Sequence, residues 1–317
     1  MDSATTAPSP PQSTTLIVGS IAYDHIITPL KTAERQLGGS ATYAAFASSY
    51  YAATRIVGVV GNDFDPAHIT AFNQRGIDLQ GLQVDASGPT FYWKGKYHEN
   101  FVSRETLEID LNVFEKFRPQ LPAGYRHTPY VMLGNIDPAL QLHVITQLRQ
   151  PRFIIADTID LWIETRRVEL LDVLERIDLF IINDSEAMLL TEEANCIRAG
   201  YKLCAMGRPQ FILIKKGEHG ALLFHPEGLF ALPAFPVTDL HDPTGAGDAF
   251  AGAFLGYLAS QNRIAYTDLK YAMAYATATA SLVVEGFSCD RLLQGGKQQL
   301  EKRFKELTAL MSFEKKI

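Results

Sequence analysis

YVML at residues 130–133 is the first of four short apolar runs that decide the fold; the others are FIIA at 153–156, LFII at 179–182 and FILI at 211–214. Helix-like stretches separate the runs, at 138–148, 164–177, 185–190 and 194–206. Buried parallel strands are continuously apolar, and the connection between two of them carries a helix. The alternation therefore predicts right-handed βαβ units in an α/β fold, with a mostly parallel central sheet and helices on both faces.

The flanking regions extend this pattern. LIVG at 16–19 and RIVGVV at 55–60 read as further buried strands, with a helix predicted over 41–53 between them. The last third is predicted to be helical, over 245–260, 266–284 and 291–311. We expect one domain over residues 15–317, preceded by a polar, proline-rich tail, 1–14, that is predicted to be disordered.

Two strand-like segments, 21–37 and 87–104, interrupt the alternation of strands and helices. Aromatic and polar residues are interleaved within the second segment, which is typical of a half-exposed strand. The two segments are predicted either to pair as a small β-sheet lid that excludes water from a site, or to form two unrelated surface hairpins. Whether such a lid also forms a homodimer stays open.

Composition excludes several classes of protein. The 317 residues carry 29 Lys and Arg against 35 Asp and Glu, a net charge of −6, which disfavours nucleic acid or an anionic membrane as partner. The 47% hydrophobic and 20% charged fractions are typical of a globular chain. Neither a signal peptide nor a membrane-spanning run is expected. The three cysteines form no disulfide or zinc pattern, so a reducing cytoplasm is predicted.

The chemistry is concentrated in HDPTGAGDAFAG, residues 241–252. A proline and two glycines break the chain there, and a helix of small residues is predicted to begin near Gly247. Backbone N–H groups at a helix N-terminus point outward and carry partial positive charge. Because Gly245, Ala246 and Gly247 add no bulk, this stretch predicts a phosphate-binding loop with the carboxylate of Asp248 at its mouth.

Asp248 has two interpretations. A carboxylate beside an anion site repels bound phosphate, so its presence makes sense if it removes a proton from a hydroxyl that attacks a phosphoryl group. The N–H groups of the loop would stabilise the developing charge. The alternative is that Asp248 caps the helix.

DPTGAGDAFAGAFL, residues 242–255, resembles the second signature of the ribokinase-like (phosphofructokinase-B, PfkB) carbohydrate kinase family at every constrained position. Three further segments follow the family's order, so the resemblance covers roughly residues 15–310. It implies a ribokinase-like three-layer sandwich with a small β-sheet lid. It also implies an ATP-dependent kinase with Asp248 as general base and residues 245–247 as anion hole.

The resemblance assigns an acceptor side. GGSATY, beginning at Gly38, is similar to the family's first signature, in which Gly38 and Gly39 let the acceptor lie against the backbone. Tyr43 departs from that signature, because the family usually has there an asparagine that contacts the acceptor; this indicates an acceptor of different shape. Asp24 matches the aspartate that binds acceptor hydroxyls. Asn135, at the end of a predicted strand, is expected to face the same crevice.

The resemblance also assigns a donor side. NDSE, beginning at Asn183, is similar to the family's Asn-x-x-Glu motif and implies that Glu186 organises Mg²⁺ and its waters near ATP, with Asn183 supporting that shell. KKGEHG, beginning at Lys215, is similar to the strand and Gly-x-x-Gly turn that packs against the nucleotide. Lys215, Gly217 and Gly220 are therefore expected to bind ATP.

Two residues of the loop match a further site. Asp242 and Thr244 stand where some members of the family bind a monovalent cation such as K⁺, and Thr244 is also assigned to the ATP site. Weaker candidates follow a strand or lie in the expected lid: Asp157, Asp160, Tyr92 and Trp93.

The resemblance implies transfer of a phosphoryl group to a hydroxyl of a sugar or sugar-like polyol. Two alternatives stay open: a nucleoside kinase of the same family, and a catalytically silent protein of this fold that binds a sugar or nucleotide. A dinucleotide-dependent oxidoreductase is disfavoured, because GSIA at 19–22 lacks the later glycines of that fingerprint.

Overall fold

The protein is described from a computed structural model that covers residues 13–99, 101 and 103–312. Most of the expected tail, residues 1–12, lies outside the described residues, and Thr14 already belongs to the first strand. The described strands are β1 (Thr14–Val18), β2 (Ala22–Ile27), β3 (Thr32–Gly38), β4 (Ala53–Gly61), β5 (Asp78–Asp85), β6 (Phe91–Tyr97), β7 (Arg104–Asp110), β8 (Tyr130–Leu133), β9 (Phe153–Ala156), β10 (Leu179–Asn183), β11 (Phe211–Lys215), β12 (Ala221–His225) and β13 (Gly228–Leu232). The described α-helices are α1 (Ser40–Ser48), α2 (Pro66–Gln74), α3 (Pro138–Gln147), α4 (Asp160–Thr165), α5 (Arg167–Leu174), α6 (Asp184–Thr191), α7 (Cys196–Cys204), α8 (Ala246–Gln261), α9 (Tyr266–Val283), α10 (Asp290–Gln294) and α11 (Lys297–Leu310).

The central sheet has the strand order β13-β12-β11-β10-β9-β8-β1-β4-β5 among the described residues. Neighbours from β11 to β5 pair in parallel, whereas β12 and β13 continue the sheet antiparallel. The four apolar runs become the adjacent strands β8, β9, β10 and β11. The predicted α/β class with a mostly parallel sheet is confirmed.

Helices cover both faces of the sheet, because side chains alternate along each buried strand. Ile17 of β1 packs in the core formed with α1, α8 and α9, whereas its neighbours Leu16 and Val18 pack in the core formed with α3, α5, α6 and α7. All three side chains are completely buried. The sheet therefore lies between two helical layers, which confirms the three-layer sandwich.

The two strand-like segments pair as one small separate sheet of order β3-β2-β6-β7. Asp24 of β2 lies opposite Trp93 of β6 in a parallel pair. The second segment extends beyond its predicted end at 104, since β7 continues to Asp110. The β2–β6 pairing joins the two segments into one sheet, so the alternative of two unrelated surface hairpins is wrong.

Several predicted helices are shorter or divided. The helix predicted over 41–53 ends at Ser48, because residue 53 already begins β4. The helix predicted over 291–311 is two helices, α10 and α11, separated by Gly295 and Gly296, whose backbone freedom disfavours a continuous helix. The helix predicted over 164–177 divides into α4 and α5 at Arg166, which has a non-helical backbone.

Within the described parts of the chain, no helix combines the length and apolar character needed to cross a membrane. The three cysteines are all free thiols, as predicted. Cys289 is buried, and Cys196 and Cys204 are half-buried.

The helix that carries the glycine-rich motif packs unusually closely on α1. A methyl group on Gly252 of α8 would overlap the backbone of Ala44, and one on Gly256 would lie 2.8 Å from the carbonyl oxygen of Ser48. The small residues of α8 therefore let two helix backbones approach closely. This contact fixes the helix that carries the glycine-rich motif on the helix that follows Gly39.

We expect Gly252→Ala to destabilise the protein, because the added methyl group must push α8 away from α1. The free energy of unfolding should fall by about 1–3 kcal/mol, the usual effect of overpacking, measured by chemical denaturation. Gly124→Ala is the control, because its methyl group would meet nothing within 4 Å. Equal stabilities of the two variants would contradict the close contact.

Candidate active site

The carboxyl ends of the parallel strands open into a cleft of about 1080 Å³. Seven residues predicted on the donor side or in the anion hole line it: Asn183, Glu186, Lys215, Gly217, Gly220, Ala246 and Gly247. Tyr97, Phe101 and Arg104, from the small sheet and the hairpin before β7, also line the cleft. The tertiary structure thus brings together segments that are far apart in the sequence.

The N-terminus of α8 forms one wall of the cleft. Gly245 occupies the N-cap position in the left-handed conformation, with φ 75°, and no side chain caps the helix there. Asp248 lies in the first turn and is half-buried. The N-cap interpretation of Asp248 is therefore wrong, because Gly245 holds that position. The Ala246 N–H donates to the carbonyl oxygen of Pro243 at 3.2 Å. The N-cap residue has no side chain to compete for the other N–H groups of the first turn, which can therefore face an anion.

Lys215 is the cation at the centre of the site. Its Nζ lies 3.0 Å from Oδ2 of Asp157 in an ion pair that is largely shielded from solvent. A methyl group on Gly247 would lie 3.1 Å from the same Nζ, so the ammonium group covers the glycine loop. Asp157, a weaker candidate from the sequence, is thereby placed beside the loop, whereas Asp160 lines the cleft and is exposed.

Burial and the charges of this cluster give Asp248 a pKa near neutral. Burial and the nearby carboxylate of Asp157 raise the pKa of Asp248 to about 7, and Lys215 and Arg104 oppose that rise. A carboxyl group with a pKa close to neutral is matched to general-base work at physiological pH.

Glu186 combines a structural role with a position that lines the cleft. Asn183 Oδ1 accepts a hydrogen bond from the Glu186 N–H at 2.7 Å, and Glu186 Oε2 accepts one from the Asn183 N–H at 3.0 Å, which completes a capping box at α6. Burial and Asp157 raise the pKa of Glu186 to about 7, against the effect of Lys215. Glu186 therefore both completes the capping box and lines the cleft.

The acceptor-side residues lie around the beginning of α1. Gly39 has φ 93°, and a methyl group there would lie 2.5 Å from the carbonyl oxygen of Ser20. The Asp24 carboxylate packs directly on Gly38, where a side chain would overlap it. Burial and the carboxylates of Asp242 and Asp248 raise the pKa of Asp24 to about 8. Both glycines are therefore required by close approach of the chain.

Tyr43 is placed under the anion loop. It is 1% exposed, and its ring fills the space that a side chain on Gly245 would need. Its hydroxyl group is buried and has no hydrogen-bond partner among the described residues. Asn135 is half-buried at the end of β8, and its Oδ1 accepts a hydrogen bond from Trp162 Nε1 at 2.9 Å. Neither residue lines the large cleft.

The loop before Gly245 is held by the small sheet. Thr244 Oγ1 donates to the phenol oxygen of Tyr97 at 3.0 Å. Asp242 accepts hydrogen bonds from the backbone N–H groups of Thr244 at 2.9 Å and Ser288 at 3.4 Å. Burial raises the pKa of Asp242, whose carboxylate is 1% exposed. Asp242, which is matched to a monovalent-cation site, therefore holds the backbone of both Thr244 and Ser288.

Two aromatic residues of the small sheet were also candidates. The Tyr92 hydroxyl lies 3.2 Å from Nδ1 of His25, and Trp93 Nε1 donates to Thr106 Oγ1 at 3.2 Å. Both side chains are half-buried and satisfied within the sheet.

Sequence reasoning missed Arg104, Phe101 and Trp162 as residues of the site. Arg104 begins β7 opposite Tyr97, and its guanidinium lies 5.6 Å from the centre of the Trp93 ring. No local pattern distinguishes this arginine from other polar residues of the same strand. Its position follows only from the pairing of β6 with β7.

Comparisons with known proteins agree with this geometry. Residues 127–294 match the profile of the family described as pfkB family carbohydrate kinase. A cytidine kinase of Thermococcus kodakarensis is 28% identical over 251 residues, which cover 76% of this chain and 87% of that protein. A 2-dehydro-3-deoxygluconokinase of Thermoproteus tenax is 25% identical over 273 residues, which cover 79% and 80%.

A solved structure shares the fold. The nucleoside kinase of Burkholderia thailandensis in complex with inosine superposes with a TM-score of 0.76 over 92% of this chain and 96% of that one, at 21% identity. At this identity the likeness concerns the arrangement of strands and helices.

We expect Asp248→Asn to change how stability depends on pH. A carboxyl whose pKa is about 7 when folded and about 3.9 when unfolded binds more protons in the folded state between those values. Its contribution to stability is therefore lost as pH rises from about 4 to about 7, by up to about 1.4 kcal/mol per pH unit. The asparagine variant has no ionisable group at this position, so it does not lose stability in this way as pH rises.

Denaturation between pH 4 and pH 8 measures the difference in unfolding free energy between the variant and the wild type. As pH rises to about 7, the unfolding free energy of the variant should increase relative to that of the wild type, and above pH 7 the difference should stay constant. Asp172→Asn, at an exposed position on α5, is the matched control. A difference for Asp248→Asn that does not vary with pH would refute the raised pKa.

Proposed function

The chain belongs to the pfkB family of carbohydrate kinases and is a phosphotransferase with a hydroxyl acceptor; on that basis we propose that it transfers the γ-phosphoryl group of ATP to a hydroxyl of a sugar or sugar-like polyol. The observation that carries the proposal is the position of Asp248, in the first turn of an uncapped helix and beside Lys215. Base, anion-binding N–H groups and cation are within one cluster.

In this proposal Asp248 removes the proton from the acceptor hydroxyl as its oxygen attacks phosphorus. The bond from the γ-phosphorus to the bridging oxygen of ATP breaks, and ADP leaves. The N–H groups of residues 245–247 stabilise the negative charge that develops on the transferred group. A pKa of about 7 lets Asp248 be ionised before transfer and hold a proton after it.

The large cleft has the properties that ATP requires. Gly217 and Gly220 at the end of β11 present backbone without side chains, and Lys215 supplies positive charge toward the phosphates. The opposite wall is apolar and suits a purine ring: Phe235, Pro236, Val237, Ala280 and Val284. We therefore propose that the nucleotide lies along this cleft with its terminal phosphate toward α8.

Glu186 and Asp157 fit a magnesium ion that works with ATP. Both are buried carboxylates, and Lys215 pairs with Asp157 and interacts electrostatically with Glu186. Within the described residues, no group of three acidic, histidine or cysteine side chains closes around a metal, so the remaining ligands would be water and phosphate oxygens. Such an ion, when bound, neutralises phosphate charge.

The acceptor is proposed to bind near Asp24, Gly39 and Asn135, at the carboxyl ends of β1 and β8. We propose that the small sheet acts as a lid over it, because Tyr97 of that sheet binds Thr244 beside the anion loop. Asp242 and Thr244 stay a proposed monovalent-cation site. A cytoplasmic location and a homodimer formed through the lid stay predictions.

A nucleoside is the second candidate acceptor. A relative that matches most of this chain is a cytidine kinase, and another is a 2-dehydro-3-deoxygluconokinase. Relatives in this family therefore phosphorylate more than one class of acceptor, so membership alone does not select the acceptor of this chain. ADP release measured with sugars, polyols, sugar acids and nucleosides separates these classes, and ATP consumption that depends on an acceptor excludes a silent binding protein.

We expect Asp248→Asn to lower turnover by about 10²-fold or more, because the general base is lost while the shape of the site is kept. Binding of the ATP analogue and the acceptor, measured by calorimetry, should stay near wild type. In the wild type, kcat/KM should rise with pH up to about 7, as Asp248 loses its proton. Near-normal turnover in the variant would remove Asp248 from the mechanism.

We expect Glu186→Gln to weaken the use of magnesium, because a carboxylate near the phosphates is replaced by a neutral amide that still accepts the capping hydrogen bond. The Mg²⁺ concentration for half-maximal rate should rise by about tenfold or more. Glu175→Gln, at an exposed position after α5, is the control. Identical magnesium curves for both variants would contradict this role.

A further inference from the structure

A buried arginine on α11 lies behind the apolar wall of the cleft. Arg303 is 8% exposed, and a charged side chain buried to this extent needs partners. It forms an ion pair with Glu285, and its Nη1 donates a hydrogen bond to Ser281 Oγ at 2.7 Å. It lies beyond residues 127–294, which match the family profile. These contacts fix the guanidinium in one place, and the proposed reaction gives it no role.

The same guanidinium contacts the wall that is proposed to receive the purine ring. Its central carbon lies 4.9 Å from the centre of the Phe235 ring, within the range of a cation–π interaction. Phe235 lines the cleft, and so does Ser281, the hydrogen-bond partner of Arg303. Arg303 itself does not line the cleft, so it supports two residues of the wall from behind.

Phe235 depends on such support, because the backbone around it is held by few hydrogen bonds. Residues 234–240 belong to no helix or strand, and none of their backbone groups forms a backbone–backbone hydrogen bond within the described part of the chain. The next such bonds join the N–H groups of His241 and Asp242 to the carbonyl oxygen of Val284. The position of the Phe235 ring therefore depends on side-chain packing, and Arg303 is one of the groups on which it packs.

We propose that Arg303 is a positioning residue for the adenine base of ATP, because it holds the Phe235 ring in the orientation on which the base packs. The inference rests on the proposed kinase function and adds the residue that shapes the base end of the donor site. An aromatic ring that is fixed before the nucleotide arrives binds the base without the entropic cost of ordering the segment. Arg303 acts through Phe235 and contacts neither the phosphates nor the acceptor.

The test uses the full chain with Mg²⁺ and compares a non-hydrolysable ATP analogue with inorganic tripolyphosphate, which has no base. Arg303→Met removes the charge and keeps the length of the side chain, so binding of the analogue, measured by calorimetry, should weaken by about fivefold or more. Binding of tripolyphosphate should stay unchanged, because this ligand does not reach Phe235. Lys302→Met, at the exposed neighbouring position on α11, is the control and should bind both ligands like the wild type.

Phe235→Leu distinguishes positioning of the ring from a general structural role. If Arg303 acts through the ring, Phe235→Leu weakens analogue binding at least as much as Arg303→Met, and the double variant binds no more weakly than Phe235→Leu alone. Arg303→Lys keeps a charge opposite Glu285 and takes the place of Arg303→Met if that variant does not fold. Its loss of analogue binding should be smaller but measurable, because the planar guanidinium is replaced by a point charge.

Weaker binding of the analogue with unchanged binding of tripolyphosphate supports the inference. Equal weakening for both ligands overturns it, and so do losses that add in the double variant, because Arg303 would then act on the fold and not through Phe235. Analogue binding that is unchanged in the arginine variants also overturns it and leaves the kinase function intact. A wild type that does not bind the analogue overturns the proposed kinase function together with the inference.

Discussion

The ion pair between Lys215 and Asp157 is the interaction on which the rest of the site depends. It places the ammonium group of Lys215 over the glycine loop, where the ammonium interacts electrostatically with the carboxylates of Glu186 and Asp248. Lys215 interacts with the carboxylates of Asp157, Glu186 and Asp248, which would otherwise repel one another without a compensating charge. With it, the pKa values of Glu186 and Asp248 stay near 7 rather than rising further.

Close packing of backbone positions the anion loop against this charge cluster. Gly252 and Gly256 let α8 lie directly on α1, and Gly245 lies on the ring of Tyr43. The N-terminus of α8 is therefore held from below by an aromatic ring and from the side by a neighbouring helix. A loop held in this way keeps its N–H groups oriented before any ligand arrives, which is the condition for electrostatic stabilisation without reorganisation.

The small sheet adds a second attachment to the same loop. Tyr97 binds Thr244, and the strand pairing then places Arg104 at the edge of the cleft. A movement of this sheet would therefore shift the position of the anion loop and the position of the Arg104 charge at the same time.

Local sequence determined the features that depend on neighbouring residues. The apolar runs specify buried parallel strands, and the small residues around Asp248 specify an open helix N-terminus, because each rests on the periodicity or backbone freedom of a short stretch. The capping box of Asn183 and Glu186 is likewise local, because it joins residues three positions apart. The double glycine at 295 and 296 interrupts a predicted helix, and its effect was underestimated because apolar periodicity continues on both sides.

Only the tertiary structure decided which distant groups meet. The departure at Tyr43 is visible in the sequence, but its place under Gly245 depends on the packing of α8 on α1. Arg104 has no distinguishing pattern, since its position follows from strand register. The near-neutral pKa values of Asp24, Glu186 and Asp248 likewise arise from burial and from charges brought together by folding, which depend on three-dimensional distance and not on spacing along the chain.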